Sequence, residues 1–154
     1  MVETFKGRKN ALPYFIACER TGEKCEVRAY LGNDFVGAEE VGNYCISLID
    51  GKMTVSQLRP VYDLSSIEEK FLEKIWVGRI RVIPEHQEQG VSRELVNGAI
   101  ETLSGSGRIH MMSFSKEGLE RIFPQLLRRG YTAIEPRALR GMFRTIAWRY
   151  YPDA

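Results

Sequence analysis

Residues 75–103 constrain this chain more than any other stretch. Ile75-Trp76-Val77-Gly78-Arg79-Ile80-Arg81-Val82-Ile83 is rich in β-branched residues and reads as a strand, which Pro84 ends by removing a backbone donor. The polar turn Gln87-Glu88-Gln89-Gly90-Val91-Ser92 then opens a helix from Gly90 to about Leu103. Its apolar positions Val91, Leu95, Val96, Ala99, Ile100 and Leu103 recur at helical spacing. A helix start leaves backbone N–H groups without partners and carries the positive end of the dipole. With no side chain on Gly90, such a start is built to cradle an anion.

The length of 154 residues fits one domain with a substantial core, and 44% apolar with 27% charged residues is the balance of a soluble globular protein. No run of about 18 apolar residues exists to span a bilayer, and MVETFKGRKN lacks the apolar stretch of a secretory signal, so a cytoplasmic location is expected. The net charge of +2 demands no nucleic acid. The segment from Arg121 to Arg149 nevertheless sets seven arginines against Glu135 alone, a basic face that can meet phosphate, RNA or DNA, or an acidic protein, or simply be solvated. Cys18, Cys25 and Cys45 form an odd set without a CxxC pair and read as reduced thiols. His86 and His110 have no carboxylate spacing that would make a metal site. His86, beside the turn, reads as an exposed loop residue or as a contact to phosphate.

The first half reads as β. Leu12–Cys18 and Cys25–Leu31 flank Thr21-Gly22-Glu23-Lys24 as a hairpin, and Gly32–Gly42 reads as a glycine-rich loop. Tyr44–Ile49 and Met53–Leu58 flank Asp50-Gly51, a two-residue hairpin signal. Ser65-Ser66-Ile67-Glu68 fits a capping box before a short helix through about Glu73. Past the helix at 90–103, Ser104-Gly105-Ser106-Gly107 turns the chain into a strand from Arg108 to Phe114, in which Met111 and Met112 read as core filling. Ser115 caps a helix with the apolar face Leu119, Ile122, Phe123, Leu126 and Leu127, which Pro124 kinks or splits in two and Gly130 ends. Tyr131–Ile134 and Met142–Tyr150 are final strands, with Trp148, Tyr150 and Tyr151 packing at the last one. The expected fold is a single α+β domain, with a β-rich N-terminal half and a β-α-β-α-β segment behind it.

That rear segment resembles the GCN5-related N-acetyltransferase (GNAT) superfamily. The family has a strand running into a turn of the form Gln/Arg-x-x-Gly-x-Gly/Ala and then a helix, and Gln87-x-x-Gly90-x-Ser92 fills that form. Val82-Ile83-Pro84 precedes it as the family's Val-x-Pro does, and Gly130-Tyr131 stands where the family has a Gly-Phe pair entering a strand. The resemblance implies a mixed, mostly antiparallel sheet with flanking helices. It also implies acetyl-CoA or another acyl-CoA as ligand. The edge at Ile80, Arg81 and Val82 would pair with the pantetheine arm, in a strand that splays from its neighbour to admit it. Gln87, Glu88, Gln89, Gly90, Val91, Ser92 and Arg93 would surround the pyrophosphate. Gly78, unusual in mid-strand, fits a close backbone approach.

The implied chemistry is direct acyl transfer to an amine. The family's frequent acid, a Tyr, falls here on Leu126, and a frequent base, a Glu, falls on Trp76. Glu73, Glu40 and Tyr131 are the substitutes, with Glu39 and Tyr150 behind them. The N-terminal half departs from the family, which places two helices there, unless a short helix covers Asp34–Val41. Alternative readings are a non-catalytic binding protein with this fold, or a nucleic-acid-associated protein using the Arg-rich region. Exposed strand edges make a homodimer an expectation as well.

Overall fold

The computed structural model of the chain describes residues 2–33, 36–114, 121–137 and 144–153. Among the described residues it is an α+β fold with an eight-stranded, mostly antiparallel sheet and three α-helices. The strands are β1 (Val2–Lys6), β2 (Pro13–Thr21), β3 (Lys24–Leu31), β4 (Glu39–Asp50), β5 (Lys74–Val82), β6 (Ser106–Ser113), β7 (Thr132–Ile134) and β8 (Ile146–Asp153), in the order β1-β2-β3-β4-β5-β6-β8-β7. The helices are α1 (Gly51–Leu58), α2 (Val91–Leu103) and α3 (Phe123–Arg128), and short 3-10 turns cover Glu69–Leu72 and Pro84–His86. The chain divides into two compact units, Met1–Ser47 with Gly78–Ser104 and Leu48–Val77 with Gly105–Ala154, so β4 and β5 contribute to both.

In the first unit, β2 and β3 form the expected hairpin in the register Thr21↔Lys24. Gly22, at φ +60°, takes the first central position, where a two-residue II′ turn needs it. β1 adds antiparallel to β2, and β4 to β3 with a bulge at Ala29/Tyr30. Helix α2 buries Val91, Leu95, Val96, Ala99, Ile100 and Leu103, the face read from the sequence. It lies close on the hairpin, because a Cβ built on Gly98 would stand 2.9 Å from Cys18 Sγ and 2.9 Å from Val27 Cγ1. Cys18, Cys25 and Cys45 are all free thiols, and burial pushes Cys25 up to about 12.

The core of the second unit gathers Val55, Leu64, Ile67, Leu72, Ile75, Ile109, Met111 and Ile146, with Leu58, Trp148 and Tyr150 packed against it. The hairpin expected at Asp50-Gly51 is instead the start of α1. Asp50 is an excellent helix N-cap as well as a turn residue, and its carboxylate accepts the Lys52 N–H at 2.9 Å. Gly51 donates to the Glu73 carbonyl at 2.7 Å, and a Cβ there would fall 1.7 Å from Leu72 O. Val55 and Leu58, three residues apart, then face the core while Met53 is exposed, a helical rather than an alternating pattern.

No side chain caps the 3-10 turn at Glu69–Leu72; Asp63 instead accepts the Ser65 N–H at 3.0 Å in a local turn. β4 begins at Glu39, inside the expected loop, so Glu39–Val41 is strand and no helix covers it; Asp34 and Phe35 lie outside the described residues. Pro124 sits in the first turn of α3, where its missing N–H costs nothing, so a helix starts there, as a split of the pattern requires, and is not kinked. Leu127 is 48% exposed and leaves the apolar face to Ile122 and Leu126. The capping role of Ser115, the helical Leu119 and the strand start at Met142 lie outside the described residues. Gly130, at φ +84°, ends α3 as expected: Gly130 N donates to Leu127 O and Tyr131 N to Leu126 O, the paired bonds of a Schellman motif.

β6 and β8 pair antiparallel from Ser106↔Asp153 to Ser113↔Ile146, and β7 joins the far side of β8. The parallel ladder of β5 with β6 is short: Ile75↔Ile109 and Trp76↔His110. β5 itself continues to Val82.

Candidate functional site

Alternation along β5 decides what its C-terminal half offers. A Cβ on Gly42 would meet Arg81 O at 2.9 Å, Val91 Cγ1 at 3.2 Å and Val82 Cγ2 at 3.3 Å. Val82 therefore points to the face that α2 covers, and Arg79 and Arg81 point to the opposite, solvent face, where both are exposed. Gly78 is the close approach expected of it, since a Cβ there would lie 2.2 Å from the Cys45 carbonyl oxygen.

A groove of about 480 Å³ runs beside this strand, lined by Glu40, Val41, Gly42 and Asn43 of β4, by Ile80, Arg81 and Val82 of β5, and by Ile83 and Gln87. The Ile83 N–H donates to Val41 O at 2.9 Å, and Gln87 Nε2 donates to Val82 O at 3.1 Å. Glu40 and Arg81 are the charged residues of the lining. Glu40 Oε1 accepts from Arg28 Nη1 at 2.8 Å, and Arg28 Nη2 donates to Glu26 Oε2 at 2.8 Å. Hydrogen bonding and charge from Arg28 hold the Glu26 carboxyl below its usual range. Among the described residues Arg81 forms no ion pair.

Past Pro84 the chain makes a tight corner. Glu88 at φ +67° and Gly90 at φ +89° are both left-handed, a cost that a glutamate bears only where its surroundings impose it. Gly90 is the N-cap of α2 and supplies no side-chain cap. The first intrahelical bond is Glu94 N to Gly90 O at 3.1 Å, so the N–H groups of Val91, Ser92 and Arg93 have no acceptor within the helix. The side chain of Val91 is buried, Ser92 is half-buried and Arg93 is exposed.

The segment Gly7–Ala11 closes on this corner, a contact with no local signal in the chain. Gln89 O accepts from Arg8 N at 3.1 Å, Gln89 Oε1 accepts from Lys9 N at 3.1 Å, and Lys9 pairs with Glu88. The stem of Arg8 lies along Gly90, where a Cβ would meet Arg8 Cδ at 3.2 Å. The Gln89 side chain is thus committed to holding this segment, and the cations of Arg8 and Lys9 are brought beside the helix start. His86 is buried, not exposed: its Nδ1 shares a 2.7 Å hydrogen bond with Tyr14 OH, and the Tyr14 ring stacks on Phe5.

Of the residues expected to act, Ile80, Arg81, Val82, Gln87 and Glu40 line one groove, and Gly90, Val91, Ser92 and Arg93 form the helix start. Glu39 is exposed at the start of β4. The others belong to the second unit. Glu73 is exposed there and offers its carbonyl to Gly51. Tyr131 is buried, with its hydroxyl 2.6 Å from His110 Nδ1 and 2.7 Å from Tyr151 OH. Burial pushes His110 down to about 3, so the imidazole is neutral in this chain of hydrogen bonds. Tyr150 is half-buried and packs on Phe71 at 4.3 Å between ring centroids. Trp76 and Leu126, where the resemblance alone would place a base and an acid, are buried apolar residues.

The Arg-rich region is partly consumed by packing. Arg149 Nη1 donates to Arg129 O at 2.7 Å, and the guanidinium lies 4.6 Å from the centre of the Tyr151 ring. Arg121, Arg128, Arg137 and Arg144 are exposed, and Arg140 lies outside the described residues. Among the described residues no group of three or more His, Cys, Asp or Glu is arranged to hold a metal ion, and no helix is long and apolar enough to cross a membrane. No family model, no curated protein and no solved structure matches the chain.

Proposed function

We propose that the protein is an acyl-CoA-dependent N-acyltransferase of GNAT type, acting on an amine. One observation carries the reading. β5 leaves its parallel ladder after Trp76, runs on to Val82, and passes through Pro84 into a left-handed corner at which the amides of Val91, Ser92 and Arg93 stand uncapped. That is the strand, turn and helix start that the resemblance requires for a pantetheine arm and a pyrophosphate.

The residues at hand fit such a ligand. The main chain of Ile80–Val82 offers strand-like partners to the amides of an extended arm, and the helix start offers donors to a phosphate. Arg8 and Arg93 bring positive charge to the same corner, while Lys9 is paired with Glu88. Acyl-CoA supplies an activated thioester: the amine nitrogen forms the new C–N bond, the C–S bond breaks, and the proton lost by nitrogen ends on the thiolate. The protein holds the arm, aims main-chain dipoles at the developing oxyanion, and keeps a carboxylate, Glu40, in the groove beside the strand.

Calorimetric titration with CoA and acetyl-CoA tests the binding half, and thiol release with an amine panel tests the transfer. Saturable binding with steady thiol release is the expected result. No heat and no thermal shift at millimolar ligand would overturn the reading. A second reading, CoA binding without catalysis, is favoured by Trp76 and Leu126 at the family's usual base and acid positions. It predicts saturable binding with no thiol release from any amine.

A further inference from the structure

The groove carries charges of both signs on neighbouring strands. Glu40, on β4, is anchored by Arg28 through one carboxylate oxygen. Arg81, on β5, extends from the solvent face with no ion partner among the described residues. Val41, Gly42 and Asn43 of β4 line the same groove. A simple alkylamine would satisfy Glu40 and leave the guanidinium of Arg81 unused. A polyanion would satisfy Arg81 and meet Glu40 with repulsion.

We propose that this groove binds a small zwitterionic amine, one whose skeleton carries a carboxylate or phosphate a few bonds from the amino group. Arg81 holds the anion and Glu40 the ammonium. Arg81 matches either anion, because its planar fork donates in parallel to two oxygens of a carboxylate or a phosphate. Arg28 stays with Glu26 and Glu40 and fixes the carboxylate in place. The inference rests on the acyltransferase reading in taking this amine as the acceptor, and it names the class of that acceptor. The acylated nitrogen loses its positive charge, so the product gives up its attraction to Glu40 and leaves more readily than the substrate.

Two matched pairs of probes test it: glycine against glycinamide, and O-phosphoethanolamine against ethanolamine. Each pair differs in the anion and keeps the amine. Titrated into the free protein and followed by amide chemical shifts, the zwitterionic members should bind about tenfold or more tightly than their partners and move resonances in 40–43 and 80–83. Arg81→Ala should bring each pair to within about twofold, and Arg81→Lys should recover part of the preference for O-phosphoethanolamine. In the thiol-release assay, Arg81→Ala should raise KM for the zwitterions by at least about tenfold more than it raises KM for ethanolamine. Arg81 is exposed, so the variants will fold. Equal binding of all four probes, or a preference that survives Arg81→Ala, overturns the inference. The anion arms separate carboxylate from phosphate. Because the shift titration needs no CoA, a failure of the zwitterion site is distinguishable from a failure of acyl transfer.

Discussion

His110 shows how one buried side chain sets a property of the whole protein. It is fully buried, neutral, and bonded through Nδ1 to Tyr131 OH. Its value of about 3 lies below the roughly 6.5 of an unfolded chain, so between those limits the unfolded state binds the extra proton. Stability contributed by neutral His110 is therefore complete above about pH 6.5 and is lost as pH falls toward 3. Urea midpoints should correspond to a loss of about 2 kcal/mol between pH 7 and pH 5. In His110→Gln this loss should shrink to what the remaining groups contribute; an unchanged slope would show that His110 is not its source. Glycines give a second test at this scale. Gly51→Ala drives a Cβ into the Leu72 carbonyl and should cost about 3 kcal/mol or more, whereas Gly22→Ala meets no atom within 4 Å and should cost only the left-handed backbone term of about 1–2 kcal/mol. Denaturant titration of the two variants checks the ranking.

At the scale of elements, the strand–corner–helix unit from β5 to α2 was legible in the sequence, and the segment after β4 was not. Helical spacing of Val91 through Leu103 predicts a buried face because a thirteen-residue helix repeats its pattern several times. Asp50-Gly51 is a two-residue signal shared by hairpin turns and helix caps. The tie is broken by the Leu72 and Glu73 carbonyls, which lie more than twenty positions away in the chain. The corner carries the next prediction. Gly90→Ala places a Cβ at φ +89° against the Arg8 stem, so it should destabilise the protein by about 1–2 kcal/mol. It should also weaken CoA binding by more than Gly22→Ala does, as calorimetry of the two variants would show. Equal CoA affinity in both would remove the corner from the binding site.

For the whole molecule, ligand linkage gives the broadest test of the proposed activity. Acetyl-CoA at a hundred times its Kd should add about 2.7 kcal/mol to the unfolding free energy, which for a chain of this length raises Tm by roughly 5–10 °C. A melting curve that does not move with ligand concentration contradicts the proposal, whatever the amine. The division into two compact units was not visible in the sequence. Each unit is assembled from segments separated by the other, and composition does not change at Ser47/Leu48 or at Val77/Gly78.

Several elements carry signals that are local and repeated, and these were legible along the chain. These are the β2–β3 hairpin with its Gly22 turn, the apolar face of α2, the stop at Pro84, and the Schellman end at Gly130. Dihedral preference and side-chain period act within a few residues, so they can be read along the chain. Tertiary structure alone decided which residues meet. It brought Arg8 and Lys9 to the Gly90 corner, joined Tyr14 to a buried His86, and buried Tyr131 against His110 and Tyr151. It also set Glu40 and Arg81 along one groove. Those contacts join positions far apart in the chain, and their energies exist only once the strands between them have chosen a register.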